Sequence, residues 1–376
     1  MRKVFLVLLA AVITWVIWIH MDHTKPWTSS DLALDIIQAV GPDSSCGKNV
    51  VGIQPYMVPS DYLSETHFYE KMNGYFAAAS KAGYFKTNTV VLLPEYIGTW
   101  LVIDGEKAVV ADAETMDNAM ALMILSNPVI FAQALLNDAG ESDPVAASLF
   151  RMKGSRMAAT YTSVFRKLAK QYGVTISAGS IVLPGPRVED GTIVTDSSLP
   201  LSNTAFVFHP DGHVDPQIVK KVFPISAELP FTLAASVEEI PVFELPMGRM
   251  VVLVCADSWY PASYERISAL GADVILVSSF CTGQDTMQQP WMGYDGSETP
   301  PDVNPEDAYR LTEREAWEAY ALPARIKKTQ ASVGVNVFLR GKLWDLGTDG
   351  QPFLITSKQR VDAAKSDRGG IWNLCF

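Results

Sequence analysis

Two residues hold positions suited to covalent chemistry. Cys255 directly follows the apolar run Val251–Val254 within GRMVVLVCADSWYPASYERISALGADVILVSS, residues 248–279. A thiol there is a nucleophile if a base or cation activates it, and helix amides or a nearby cation would favour the thiolate. The same residue also reads as a small buried core thiol, because free cysteine is among the most buried residue types. Glu95 follows the run Thr89–Leu93 in TVVLLPEYIGTW and is flanked by Tyr96 and Trp100. Most glutamates are solvated, so a loop acid is the plain alternative for this one.

The elements around these residues place them together. The stretch 248–279 reads as strand, sharp turn, helix and strand, with Pro261 near the helix start and Gly271 just past its end. NVVGIQPY, a helix-periodic segment over about residues 65–82 and TVVLL form a second such unit. Strand–helix–strand units imply parallel strands. The carboxyl ends of parallel strands share one edge, where open α/β sheets bind their ligands. Both Glu95 and Cys255 fall on that edge.

The rest of the chain narrows the possibilities. Its 376 residues suffice for one large α/β domain or two smaller ones. A net charge of −11 without a basic run argues against a nucleic-acid partner. The four cysteines show no metal-ligand spacing, so neither a zinc site nor a disulfide framework is indicated. His209 and His213 straddle a Pro-Asp-Gly turn without a third ligand, and read as structural.

Residues 1–21 are read as an N-terminal membrane anchor, with a cleaved signal sequence as the alternative. The uncharged run Val4–Ile19 is at the short edge for a spanning helix, and no small-x-small cleavage site follows it. Arg2 and Lys3 on its amino side place the remainder outside the cytoplasm. Residues 22–47 read as a stalk containing a helical stretch over 30–40 and a turn at Gly41-Pro42-Asp43. A catalytic domain then occupies residues 48–376, with insertions at about 104–150 and 282–320. In the first insertion, the apolar run Ala119–Leu136 is broken at Asn127-Pro128. It is expected to be core, a lid or a membrane-resting surface. A membrane crossing there would separate Glu95 from everything after residue 150. The second insertion reads as a surface excursion, and the last twenty residues as a polar tail.

LLPEY, KKVFPISAELPF and VCADSWYP, in this order, resemble the glutamate, lysine and cysteine motifs of the nitrilase (carbon–nitrogen hydrolase) superfamily. The resemblance extends from about residue 49 to residue 355. It implies a four-layer α-β-β-α sandwich, here preceded by one N-terminal transmembrane helix. Within that family pattern Glu95 matches the general base, Lys221 the oxyanion-stabilising lysine and Cys255 the nucleophile. Lys220 is its basic neighbour and Glu228 matches a second glutamate. The backbone N–H of Ala256 would join Lys221 at the oxyanion. The implied reaction is hydrolysis of a non-peptide carbon–nitrogen bond, foremost an amide, through a Cys255 thioester without metal or organic cofactor. Nitrile hydrolysis and N-acyl transfer use the same triad. A non-catalytic, membrane-tethered binding module is the alternative of another class, and the three filled catalytic positions argue against it.

Some residues depart from the family pattern. Ala256-Asp257 after the cysteine is closer to amidase-like branches than to true nitrilases, and Lys327 and Lys328 replace a glutamate expected just past Arg325. An outward-facing anchored member is similar to the lipoprotein N-acyltransferases, which however carry several membrane helices. Tyr96, Trp259 and Tyr260 are candidate pocket residues by adjacency, with Cys281 at the same rim. The family often pairs subunits, which implies a possible homodimer. Whether Cys46, Cys281 or Cys375 form a disulfide is open, and Cys255 must stay out of one.

Overall fold

The computed structural model describes residues 2–21, 31–41, 46–137 and 139–376. An N-terminal helix α1 (Arg2–His20) precedes β1 (Leu34–Val40), β2 (Asn49–Gln54), α2 (Glu65–Lys81) and β3 (Thr89–Leu92). After a single helical turn at Ala108–Ala111 come the helices α3 (Met116–Ser126), α4 (Pro128–Leu135) and α5 (Pro144–Tyr172), then β4 (Thr175–Pro184), β5 (Leu201–Phe208) and β6 (Val219–Lys220). The second half runs β7 (Phe243–Leu245), β8 (Gly248–Val254), α6 (Pro261–Leu270), β9 (Val274–Ser279) and α7 (Glu313–Tyr320). It closes with β10 (Val333–Phe338), β11 (Phe353–Thr356), β12 (Gln359–Val361) and β13 (Gly369–Cys375). Short ladders and 3-10 turns join these elements.

Two sheets result, ordered β1-β13-β2-β3-β4-β5-β6 and β7-β8-β9-β10-β11-β12. The ladders β2–β3–β4 and β8–β9–β10 are parallel. Their continuous apolar runs fit strands covered on both faces. The inner faces meet in a core of strand residues such as Val50, Leu92, Val252, Leu276 and Val337. Outside the first sheet, α2 and α5 bury Phe68, Phe76, Tyr161 and Phe165. Outside the second, α6 and α7 bury Tyr264, Ile267 and Trp317. The layers are therefore α-β-β-α, as the resemblance implied.

Several segments differ from expectation. Residues 34–40, expected as part of a helical stretch, form the edge strand β1. Leu34, Ile36 and Gln38 are half-buried while Asp35, Ile37 and Ala39 are exposed, the two-residue alternation of a strand with one covered face. Its parallel partner β13 lies in what reads as a polar tail, yet every residue of β13 is buried between β1 and β2. Local pattern carries no information about a partner more than 300 residues away. Most of the turn expected at Gly41-Pro42-Asp43 lies outside the described residues. The excursion over 282–320 is no bare surface loop either, because Trp291 and Trp317 are buried against Trp259. Arg325, buried, pairs with Asp302 of that segment at 2.9 Å. The helix α5 begins at Pro144, within the segment 104–150.

Cys46 and Cys375 are disulfide-bonded across a sequence separation of 329 residues, pinning β13 to the chain just before β2. Cross-linking acts mainly by restricting the unfolded chain, typically by about 2–4 kcal/mol. The double variant Cys46→Ser/Cys375→Ser is expected to lose stability of that order in urea unfolding. Cys255 alkylation should be unchanged, and a parallel loss of Cys255 reactivity would mean that the cross-link also shapes the site.

Candidate active site

Glu95, Lys221 and Cys255 reach one point from both sheets. Glu95 follows β3, and its backbone turn is held by a bulge in β4, where the β4–β5 register shifts between Ser177 and Ser180. Leu93 donates to the Ser177 carbonyl at 3.0 Å, Tyr96 N–H to Ser180 Oγ at 2.9 Å and Gly98 N–H to the Ser180 carbonyl at 2.9 Å. Gly179, at φ +68°, lies in the bulge, and a Cβ there would sit 2.1 Å from the Pro94 carbonyl oxygen. Left-handed backbone alone costs a substituted residue roughly 1–2 kcal/mol, and the collision adds to it. Gly179→Ala is therefore expected to lower stability by at least about 2 kcal/mol in urea unfolding and to slow Cys255 alkylation. Unchanged alkylation would show that the bulge does not position Glu95.

Cys255 ends β8 on the second sheet. Its φ of +46° places a non-glycine residue in the left-handed region, as does the φ of +62° at Tyr96. Such backbone persists only when its surroundings enforce it. Here Asp257 supplies much of the enforcement. Its buried carboxylate accepts from Val222 and Phe223 N–H at 2.9 and 2.8 Å and from Val254 N–H at 3.2 Å. These bonds tie the segment after Lys221 on the first sheet to the cysteine turn on the second. Burial, partly offset by these N–H donors and by Lys221, raises the Asp257 pKa to about 7.

At the centre, Lys221 Nζ donates to Glu95 Oε1 at 2.8 Å and to Glu228 Oε2 at 2.5 Å. Asn203 Nδ2 bridges the same carboxylates at 2.9 and 3.0 Å. The Tyr96 phenol donates to Glu228, and Ile225 N–H adds a bond at 2.9 Å. Glu95, Lys221 and Glu228 are all buried. Burial alone would discharge such a group, so the network sets which groups are ionised. Burial opposes the ammonium, but the two glutamates hold the Lys221 pKa well above its usual value. Burial likewise opposes the charge on Glu228, yet Lys221 and the Tyr96 and Ile225 donors bring its pKa below normal. Glu95 goes the other way, raised by burial and by Glu228 against the pull of Lys221. The two carboxyls are thus separated into a charged anchor, Glu228, and a base of raised proton affinity, Glu95.

The cysteine contradicts one expectation. Burial, then the charge of Glu95, pushes the Cys255 thiol well above its usual pKa despite Lys221. Burial thus favours the neutral thiol over the thiolate, and Sγ lies 3.6 Å from the Phe280 carbonyl oxygen. A nucleophilic role for Cys255 would need a proton acceptor, and Glu95 is the adjacent carboxylate.

These groups form one wall of a cavity of about 440 Å³. Tyr96 lines it and packs edge-on against Phe280. Trp259, Tyr260 and Cys281 do not line it. The 3-10 turn Cys255–Trp259 carries the chain back toward the second sheet's helix layer. Trp259 there packs on Trp291 and Trp317, and Tyr260 stacks on Phe223 with ring centroids 3.8 Å apart. Cys281 packs against the same apolar cluster. Asn203 and the cavity walls Phe150, Phe231, Phe280 and Trp344 were not legible from adjacency, since they come from other segments, and the bonds of Asp257 reach residues 222 and 223 of another motif. His209 bonds Asp215 at 3.0 Å, and among the described residues no group of three or more His, Cys, Asp or Glu could hold a metal.

The sequence profile of the carbon–nitrogen hydrolase family matches residues 50–296, so the chain belongs to that family. Its fold is nitrilase-like. A mutant of the Nesterenkonia AN1 amidase from the nitrilase superfamily superposes with a TM-score of 0.52 at 16% identity, covering 88% of this chain and 92% of that one. An amidase from Nesterenkonia sp. gives 0.51 at 17% identity, over 88% and 90% of the two chains. No curated protein matches the chain in sequence.

Proposed function

We propose that the protein hydrolyses a non-peptide amide through a thioester on Cys255. The observation that carries this reading is the buried Glu95–Lys221–Glu228 cluster beside Cys255 at the wall of a cavity. Cys255 Sγ attacks the amide carbon while its proton passes to Glu95. The developing oxyanion faces the Lys221 ammonium and the Ala256 N–H, which stabilise charge where water is excluded. Glu95 then protonates the departing amine as the C–N bond breaks. Water next attacks the thioester, giving its proton to Glu95, and a carboxylic acid leaves as the thiol reforms. The amidase names of the structural neighbours and the Ala256-Asp257 pair favour an amide over a nitrile.

The reading extends to location: an enzyme tethered by α1, with its catalytic domain outside the cytoplasm. The uncharged run Val4–Ile19 behind Arg2 and Lys3 supports this, and so does the Cys46–Cys375 disulfide, since disulfides persist in oxidising compartments. Among the described residues no single helix is long and apolar enough to cross a membrane, and α3 and α4 reach that hydropathy only together, bent by 101°.

Brief treatment with iodoacetamide at neutral pH, then intact mass and peptide mapping, tests the chemistry. Cys255 is expected to alkylate selectively and faster than Cys281, the other free cysteine. A Cys255 no more reactive than Cys281 would remove the hydrolase reading.

A further inference from the structure

The hydrolase reading leaves the substrate unspecified, and the cavity narrows it. At about 440 Å³ it has room for about 15 waters at roughly 30 Å³ each. An amide of two or three carbons would leave most of that volume unfilled.

The lining is divided. One wall carries Glu95, Lys221, Glu228 and Cys255, where the carbonyl must sit. Most of the remainder is apolar, including Trp100, Ile103, Met120, Met123, Phe150 and Phe231. Of the other polar lining residues, the Thr99 hydroxyl already accepts from Val182 N–H at 3.1 Å. Thr282 and Asp117 are exposed and Asp143 half-buried. Outside the catalytic wall, no buried charged residue lines the cavity to meet a polar acyl group.

One wall is the helix α3. Met116, Met120 and Met123 form a single stripe at helical spacing toward the cavity. Methionine adapts its shape to what it covers. On the outside, α3 and the following α4 expose Leu125, Val129 and Ile130 at 50–67%. The Trp15 indole of α1 donates to the Leu125 carbonyl at 3.1 Å, so this apolar outer surface continues onto the N-terminal helix. An apolar surface thus lies on the cavity side of α3 and another on the outer side of α3 and α4, where exposed apolar patches commonly mark contact surfaces.

We infer that the cavity holds the acyl part of the substrate and that this part is a long apolar chain, so the enzyme acts on amides of long-chain acids. The inference rests on the hydrolase reading. Such a chain has two possible sources, a lipid bilayer or free amphiphile in solution.

The test uses the full chain in detergent and primary amides from acetamide to dodecanamide. Specificity measured as kcat/KM is expected to rise about fourfold per added methylene until the cavity is filled. Met120→Trp, which occupies part of the volume, should lower the decanamide-to-acetamide ratio at least tenfold. Iodoacetamide labelling of Cys255 verifies that this variant is folded. Should it not fold, product inhibition of the unaltered protein serves instead, with decanoate expected to inhibit and acetate not. A flat or falling chain-length profile, while acetamide is hydrolysed and Cys255 labels, overturns the inference and leaves the hydrolase reading intact. An inert Cys255 with no amide hydrolysed removes both. Faster turnover of dodecanamide in phosphatidylcholine vesicles than in detergent supports a bilayer source, and equal or slower turnover a soluble one; both arms require the long-chain preference to hold.

Discussion

Replacing Lys221 with methionine is expected to lower kcat/KM by at least a factor of roughly 10²–10³ and to destabilise the protein by about 3–5 kcal/mol. The catalytic part follows from removing a cation from the oxyanion position. The stability part follows from burial. Glu95 and Glu228 both bond the same ammonium, at 2.8 and 2.5 Å, and both are almost inaccessible to solvent. Without the cation they become two like charges in a low-dielectric site, and one must hold a proton. The carboxyl that takes the proton is then raised further relative to the unfolded chain, and Glu95 is already raised above 4.5. A carboxyl raised in the folded state supports folding at low pH and loses that support as pH rises through the raised value. Urea unfolding of Lys221→Met should therefore show a larger deficit at pH 8 than at pH 5. A variant equally stable at both would mean that the carboxylates are paired some other way.

Glu95→Gln separates chemistry from stability. The amide oxygen can still accept from Lys221 and Asn203, so folding should change little. The base is lost, and kcat/KM is expected to fall about 10²–10⁴-fold, with slower alkylation of Cys255. The pH dependence is the sharper readout. Glu95 must be ionised to take the thiol proton, and burial together with Glu228 raises its pKa above 4.5. In the unaltered enzyme, activity should fall as pH drops through a value higher than that of an ordinary glutamate. The variant should lack this acid limb. An unchanged limb would assign it to another group, with Asp257, raised to about 7, the first to examine.

Residue order along the chain carried much of the chemistry. An apolar run ending in Pro94-Glu95 and another ending in Cys255 read as buried strands delivering side chains to one edge, because the fully covered strands of a parallel sheet leave that signature. The lysine motif, with Glu228 seven residues after Lys221, is likewise local. Three things were not local. The partnership of β1 with β13 depends on hydrogen bonds between segments at opposite ends of the chain. The Trp259 and Tyr260 side chains follow the handedness of one 3-10 turn, which adjacency to Cys255 cannot report. The cysteine's proton affinity depends on how deeply three segments bury it.

From the sequence alone came the three candidate reacting residues, their order, the strand ends that hold them and the family they resemble, since each rests on a short contiguous pattern. Only the tertiary structure decided that the proton affinities of Glu228 and Glu95 shift in opposite directions, that Asp257 joins the two sheets, and that methionines over a hundred residues from Cys255 wall the cavity. Burial, electrostatic coupling and cavity shape arise from contacts between distant segments, and a linear pattern has no register for them.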